Sequence, residues 1–454
     1  MTRKLDYRKL PTSNNRKEKP SDHATLEKMM KSQWKNVRDF SLNPFPEING
    51  WQFNRVKDLV EYAYRHVPLY RNKYSQAGFE PGDLNSWKDF EALPILYKEE
   101  LIDGFPEQTI SDDYGYELTT RSSGSSGKFV TLAVSKEAVY IDTIQGVRQF
   151  YSQSGRNYHP NDFTLFIYTS PWWVSSVNGK YPTDFLSTST PVNKAIKHIY
   201  KTHPAVLSTY PTYLKMLCHE KARLKEAGIK LVVIHSEQSS QKERIELSDY
   251  LKVPVLDEFS SEELTRIALE CPNRHYHLEE DASYIEIVDV NTKKKISKGN
   301  QGLLVGTNLI NRATPVIRYH QGDIASISRE TKCLCGSNFR IMDPVAGRYM
   351  DSIITMEGKV IPASCFMDLA YDWFLRFQVP VHGLKYQFVQ VKEGSITIYI
   401  APGAYKLTEA NIESIRKSIY TLLPWNMQIC VSIVSKVPYD NGTKYRSVIS
   451  FKKR

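Results

Sequence analysis

Four short apolar runs, Phe163–Tyr168, Ala205–Thr209, Leu231–Ile234 and Val253–Leu256, divide the middle of the chain. A stretch of helical spacing from about Tyr213 to Glu226 lies between the second and third, and a further helix leads into the fourth. A strand, helix, strand series at this spacing reads as α/β with parallel pairing, since parallel neighbours need a crossover and an antiparallel pair does not. After residue 280 the order changes. Tyr284–Val290, Leu303–Thr307, Val316–Tyr319 and Ile324–Ile327 are strand-like with no helix between them, which suggests an antiparallel or barrel-like part. The last hundred residues read as a small α+β unit. Tyr386–Val391 and Ser395–Ile400 are spaced as a hairpin, Ile412–Leu423 is helical, and Gln428–Val434 is a strand. Near the start, Leu26, Met29, Met30, Trp34 and Val37 share one helical face, and Phe53, Val56, Leu59, Val60 and Ala63 another. Residues 70–112 read as mostly loop, with Leu93-Pro94-Ile95 turning into a short helix.

At 454 residues the chain has room for two or three domains. Its net charge of +10 is concentrated at the ends: residues 1–20 carry a net +5 and Lys452, Lys453 and Arg454 add +3. The body is nearly neutral, which argues against a folded nucleic-acid binder, and residues 1–22 read as a disordered basic leader. No apolar run reaches the roughly 20 residues of a membrane span. The first residues lack the apolar core of a secretory signal, so the cytoplasm is the expected compartment. Six cysteines are too few for a disulfide scaffold in a chain of this length.

The strongest local signal is Ser122-Ser123-Gly124-Ser125-Ser126-Gly127-Lys128. Glycines permit close approach of the backbone to an anion, while hydroxyls, N–H groups and a lysine surround phosphate oxygens. Two residues separate Gly124 from Gly127 where a Walker A loop has four, so it is a different kind of phosphate loop. Cys271 and His277, with Cys333 and Cys335, offer four N/S ligands for a closed tetrahedral zinc site, and His275 is an alternative to His277. Tyr168, Pro171, Trp172 and Trp173 follow the first strand and suit a flat or aryl group.

The Ser/Gly loop resembles the phosphate loop of the adenylate-forming enzymes: acyl-CoA synthetases, luciferases and peptide-synthetase adenylation domains. The stretches His66-Val67-Pro68-Leu69-Tyr70-Arg71 and Leu93-Pro94-Ile95-Leu96-Tyr97-Lys98-Glu99-Glu100-Leu101 are similar to the phenylacetate–CoA ligase and capsule-biosynthesis branch. Four further segments follow in the family's order: Phe259-Ser260-Ser261-Glu262-Glu263, Tyr319-His320-Gln321-Gly322-Asp323, Gly347-Arg348 with Asp351, and Pro438-Tyr439-Asp440-Asn441-Gly442-Thr443-Lys444. The likeness spans roughly residues 50–454.

The resemblance implies an AMP-forming acid ligase. A small-molecule carboxylic acid, aromatic in the branch's named members, would be adenylated with ATP and Mg²⁺ and then passed to CoA. An amine, carrier protein or sugar is the alternative acceptor, and a non-catalytic binding protein the alternative fate of the fold. The implied architecture is a large α/β adenylation domain of several subdomains over 23–347, with parallel sheets and a barrel-like part. A small mobile α+β domain over 348–454 would carry the catalytic lysine, and a homodimer is compatible with the branch. By resemblance the Ser122–Lys128 loop holds the β- and γ-phosphates, Glu263 assists Mg²⁺, Asp323 binds the ribose hydroxyls and Arg348 meets phosphate or ribose. Phe259 lies against adenine, Ser236-Glu237 forms the adenine edge, and Lys444 reaches the α-phosphate. The cysteine/histidine cluster implies a structural Zn²⁺. This chain departs from the family at Ser260 (usually Gly), Gln321 (Thr), Phe129 (Pro) and Met350, where the first acidic hinge residue is missing.

Overall fold

The structure is a computed structural model that describes residues 23–122, 129–169, 174–380, 382–383, 385–440 and 445–450. Helices α1 (His23–Asp39), α2 (Phe45–His66), α3 (Pro68–Gln76), α4 (Trp87–Ala92) and α5 (Lys98–Gly104) come first. A hairpin of β1 (Leu118–Arg121) and β2 (Thr131–Val134) leads into α6 (Lys136–Gln153). The α/β part is β3 (Thr164–Tyr168), β4 (Thr183–Ser187), α7 (Val192–Thr202), β5 (Val206–Thr209), α8 (Pro211–His219), β6 (Leu231–His235), α9 (Gln241–Leu251) and β7 (Val255–Ser261). Strands β8 (Thr265–Glu270) and β9 (Tyr276–Leu278) turn back on it.

These strands build one mixed eight-stranded sheet in the order β13-β9-β8-β7-β6-β5-β3-β4, where β13 is Ile341–Met342. The pairs from β4 through β3, β5 and β6 to β7 are parallel, and those from β7 through β8 and β9 to β13 are antiparallel. Alternate residues enter two cores. Leu165, Ile167, Leu207, Val232, Ile234 and Val255 pack with α7–α9 on one face. Phe166, Val206, Leu231, Val233 and Leu256 pack with α1 and α6 on the other. Burial on both faces explains why these strands are continuous apolar runs rather than alternating ones.

The second sheet, β10 (Ser283–Val288), β11 (Gly302–Asn308), β12 (Tyr319–Ala325) and β14 (Gly347–Arg348), is antiparallel throughout. It is an open four-stranded sheet, which corrects the barrel-like expectation. The two strands expected at 316–319 and 324–327 meet in one shorter strand, β12, which keeps Tyr319 of the first and Ile324-Ala325 of the second with a bulge between them. A small ladder of β15 (Ile353–Ile354) and β16 (Val360–Ile361) precedes α10 (Ala363–Arg376). The C-terminal sheet has the order β19-β18-β17-β20, from β17 (Lys385–Lys392), β18 (Ser395–Ala401), β19 (Gln428–Ile433) and β20 (Val448–Ser450), with α11 (Glu409–Ile419) against it. The expected β17–β18 hairpin is present.

Other expectations are corrected in detail. The stretch read as loop holds α3 and α4, α5 is the short helix expected after Leu93-Pro94-Ile95, and the helix read as running to Glu226 ends at His219. The edge strand β4, of sequence Thr-Asp-Phe-Leu-Ser, escaped the sequence reading because an edge strand needs no apolar run. The basic leader, 1–22, lies outside the described residues. No helix of the described residues is long and apolar enough to cross a membrane.

Candidate active site

In an open α/β sheet ligands collect beyond the carboxyl ends of the parallel strands. Here those ends are Tyr168 on β3, Tyr210 after β5, His235-Ser236 after β6 and Phe259–Ser261 on β7. Their rings cluster: Tyr168 lies 5.1 Å from Tyr210 and 4.8 Å from His235, centroid to centroid. Ser236 is in the left-handed region at φ +69°, and its hydroxyl meets His235 Nδ1 at 2.9 Å and Tyr168 Oη at 3.3 Å. Glu237 is engaged inside the protein. Its Oε2 accepts from the N–H and hydroxyl of Thr212, at 3.0 and 2.7 Å, and its Oε1 accepts from the N–H of Tyr445 at 2.9 Å. Both oxygens of the Glu237 carboxylate are thus committed to partners within the protein.

Beyond Ser261, the chain reverses through Glu262-Glu263-Leu264 and re-enters the sheet at Thr265, whose φ of +58° closes the turn. A three-residue hairpin loop ending in a left-handed residue is a common way to join antiparallel strands. Ser261 Oγ accepts from the N–H of Leu264 at 3.1 Å and stiffens the turn. Glu263 is buried within it, receives the Tyr319 hydroxyl at 3.2 Å, and is held by Asn308 Nδ2 on its carbonyl at 3.0 Å. Burial pushes its carboxyl above the usual range, against the Tyr319 hydroxyl and the nearby charges of Lys98 and Arg348. Glu262 accepts from Thr120 Oγ1 at 2.5 Å, so the turn is tied to the strand that leads into the Ser/Gly loop.

On β12 the ladder slips: Leu303 pairs Ile324 but Val305 pairs His320, leaving Gln321-Gly322-Asp323 opposite Leu304 alone. Gly322 makes the bulge at φ +94°, and bulges of this kind re-aim a side chain. The side chain so aimed is Asp323, which is buried and sits directly across from Arg348 on β14. Burial pushes the Asp323 carboxyl up, opposed by Arg348 and by a hydrogen bond from Gln321. Gly347 also has positive φ, +114°, and a Cβ there would meet Ala363 Cβ at 3.0 Å. Next to it, Asp351 is ion-paired with Arg446.

Ser122 closes the base of the Ser/Gly loop, exchanging hydrogen bonds with Val130 at 3.0 Å through both its N–H and its Oγ. Ser123, Gly124, Ser125, Ser126, Gly127 and Lys128 lie outside the described residues, as do Lys444 and Pro171, Trp172 and Trp173. Phe259 is half-buried against the core of α2–α5 and the second sheet. Sequence reasoning passed over Tyr319 and Lys98 as neighbours of Glu263. The signal was in hand, since Lys98 stands in the quoted Leu93–Leu101 segment. The backbone stitches that segment to β12, Leu96 N–H to Arg318 O and His320 N–H to Leu96 O, both 2.9 Å.

Cys271, His277, Cys333 and Cys335 also come together, with one donor atom from each lying within 4.8 Å of all the others. Cys271 and Cys333 Sγ are 3.6 Å apart, and Cys335 Sγ is 3.2 Å from His277 Nε2. A tetrahedral ion at about 2.3 Å from sulfur and 2.0–2.1 Å from nitrogen fits this spacing. His277 Nδ1 donates to Phe339 O at 3.2 Å, which leaves Nε2 as the ligating lone pair. His275 Nδ1 also approaches Cys333, at 3.2 Å, but its Nε2 faces Glu330 at 2.9 Å, and the four-donor group forms around His277. Beside the cluster, Asn338 donates its Nδ2 to the carbonyls of Leu42 and Asn43 at 3.1 and 3.0 Å and its backbone N–H to the carbonyl of Ser41 at 2.7 Å.

No protein-family model matches the chain. A phenylacetate–coenzyme A ligase of Thermus thermophilus is 24% identical over 375 residues, covering 78% of this chain and 80% of its own. One of Escherichia coli is 26% identical over 335 residues, covering 70% and 75%. A crystal structure of 2-hydroxyisobutyryl-CoA ligase in the postadenylation state, in complex with 2-HIB-AMP, superposes with a TM-score of 0.72 at 18% identity, covering 90% of both chains. The likeness is to ligases that join acids to coenzyme A, in sequence over more than two thirds of the chain and in fold over 90% of it. The same ligase in its thioesterification state, with 2-HIB-AMP and CoA, superposes on the chain with a TM-score of 0.59 over the same 90%.

Proposed function

We propose that the protein is an AMP-forming acid–coenzyme A ligase. A carboxylic acid attacks the α-phosphorus of ATP, pyrophosphate leaves, and the acyl-adenylate then passes its acyl group to the CoA thiol. The observation that carries this reading is the pair of buried carboxylates, Glu263 on a hairpin turn and Asp323 on a bulge, with Arg348 across the ladder from Asp323. Burying two acids costs free energy, and carboxylates whose pKa is raised by burial gather at functional sites. In this reading Asp323 accepts from the ribose hydroxyls, Glu263 supplies an oxygen to Mg²⁺, Arg348 meets phosphate or ribose, and Phe259 lies against adenine. Ser236-Glu237 borders the adenine edge. Ser122 and residues 123–128 enclose the β- and γ-phosphates, and Lys444 offsets charge at the α-phosphate.

The unit from about residue 348 moves between two arrangements, one for each half-reaction. The better superposition on the postadenylation state supports the adenylating arrangement here, as does the Tyr445–Glu237 hydrogen bond. The four-donor group holds one structural zinc. The test is pyrophosphate release by the full chain with a panel of aryl and aliphatic acids, including phenylacetate and 2-hydroxyisobutyrate. Release should require both ATP and acid, and AMP and an acyl-CoA should accumulate only on adding CoA. Nucleotide binding without turnover of any acid would overturn the reading.

A further inference from the structure

Beneath α6, on the face of β7 opposite Phe259, lies a cavity of about 30 Å³. Val147, Phe150 and Phe166 form its apolar wall, and Gln149, Glu258 and Arg266 its polar one. Glu258 immediately precedes Phe259, so one strand presents the aromatic of the nucleotide motif on one side and a carboxylate to this cavity on the other. The charges around it are spoken for unevenly. Arg266 is ion-paired with Asp142 and donates its Nε to Gln149 Oε1 at 2.8 Å. Gln149 turns its amide to Glu258 Oε2 at 2.7 Å. One guanidinium, Arg266, thus serves two carboxylates, Asp142 through an ion pair and Glu258 through its field, and Glu258 is the one of the two that lines the cavity. Burial alone would push that carboxyl up, but Arg266, His235 and the hydrogen bonds from Gln149 and Ser260 outweigh it and keep the acid ionised. A carboxylate has about four acceptor positions, so it retains capacity for a donor entering the cavity.

We infer that the acid activated by this protein carries a hydrogen-bond donor, an amino or hydroxyl group, at the end of its acyl chain remote from the carboxylate, and that Glu258 reads it. The inference rests on the acid-ligase reading above. Size points the same way. Benzene occupies an engineered cavity of about 150 Å³, whereas this one takes a single small polar group. An unsubstituted ring or methyl end pressed against Glu258 would strip water from a charge and return no partner. The protein should therefore differ from the ligases named for phenylacetate in what it accepts.

The experiment compares acids of equal length in pairs, one ending in a donor and one in methyl: 4-aminobutanoate with pentanoate, 4-hydroxybutanoate with pentanoate, and 4-hydroxyphenylacetate with 4-methylphenylacetate. ATP-dependent pyrophosphate release gives kcat/KM for wild type, Glu258→Gln and Glu258→Leu. Wild type should favour donor-bearing members by about 10- to 100-fold. Glu258→Gln should keep the hydroxyl preference and lose the amino one, and Glu258→Leu should reverse the order. If Glu258→Leu does not fold, thermal stabilisation of wild type by each acid with ATP supplies the same ranking. A wild-type preference for the methyl members, or a ratio unmoved by Glu258→Leu, overturns the inference and leaves the ligase reading standing. Failure of every acid to release pyrophosphate overturns both.

Discussion

Asp323 and Arg348 face each other across one rung of the β12–β14 ladder, and that rung sets a pH dependence. In the proposed site Asp323 accepts from both ribose hydroxyls only when ionised, since protonation turns one of its oxygens into a donor, and burial already pushes its carboxyl up while Arg348 holds it down. Activity supported by this group is full above its folded-state value and is lost as pH falls through it. Arg348→Ala removes the opposing charge, so the acid limb of ATP-dependent pyrophosphate release should move to higher pH, by about one unit. Arg348→Lys should move it less. An unchanged limb in Arg348→Ala would mean that Asp323 does not titrate in the reaction. At this scale the grouping of the four N/S ligands was legible in the sequence, because cysteine and histidine carry their chemistry in their names. The neighbours of the two glutamates were not. Tyr319 on Glu263 and Thr120 on Glu262 are contacts made by distant strands, 56 and 142 residues apart in sequence.

Among the elements, the bulge in β12 and the turns around the cluster of cysteines are where sequence and fold diverge most. The apolar segments on either side of Gln321-Gly322-Asp323 looked like two strands, because three residues that leave the ladder resemble a connection. Gly322 has open space where a Cβ would stand, so alanine there meets no clash and the cost is the φ of +94° alone. Gly322→Ala should therefore cost about 1–2 kcal/mol and raise KM for ATP by misdirecting Asp323. A melting curve and a substrate titration check the two effects. The cysteine spacing, by contrast, was readable, since metal ligands need few intervening residues to form a knuckle. Elemental analysis should find about one zinc per chain. Chelation, or Cys335→Ser, should lower the melting temperature and speed proteolysis near Ser41–Asn43, the carbonyls gripped by Asn338. A fully stable, metal-free preparation would remove the zinc proposal.

For the molecule as a whole, the alternation of strands and helices announced the parallel half of the large sheet, and the change after residue 280 announced a second sheet. How the C-terminal unit sits against α9 and the turn before it was not announced, because that interface joins residues 130 to 208 apart in sequence through the Lys242–Asp372 ion pair, the Tyr445–Glu237 hydrogen bond and shared apolar packing. Two arrangements predict separable half-reactions. Lys444→Ala should slow adenylate formation about 10²–10³-fold, and the same variant given a presynthesised acyl-adenylate should form acyl-CoA at near wild-type rate. Equal losses in both assays would sink the two-arrangement account. Glu237→Gln should also weaken adenylation selectively, by loosening the contact with Tyr445. That contact is made by a peptide N–H, and every amino acid except proline supplies one. Replacing residue 445 one amino acid at a time would report on the buried ring that bonds Tyr386 and leave the clasp intact. Half of this fastening is invisible to mutagenesis and to selection acting on side chains, and whatever tuning it undergoes must be written at position 237.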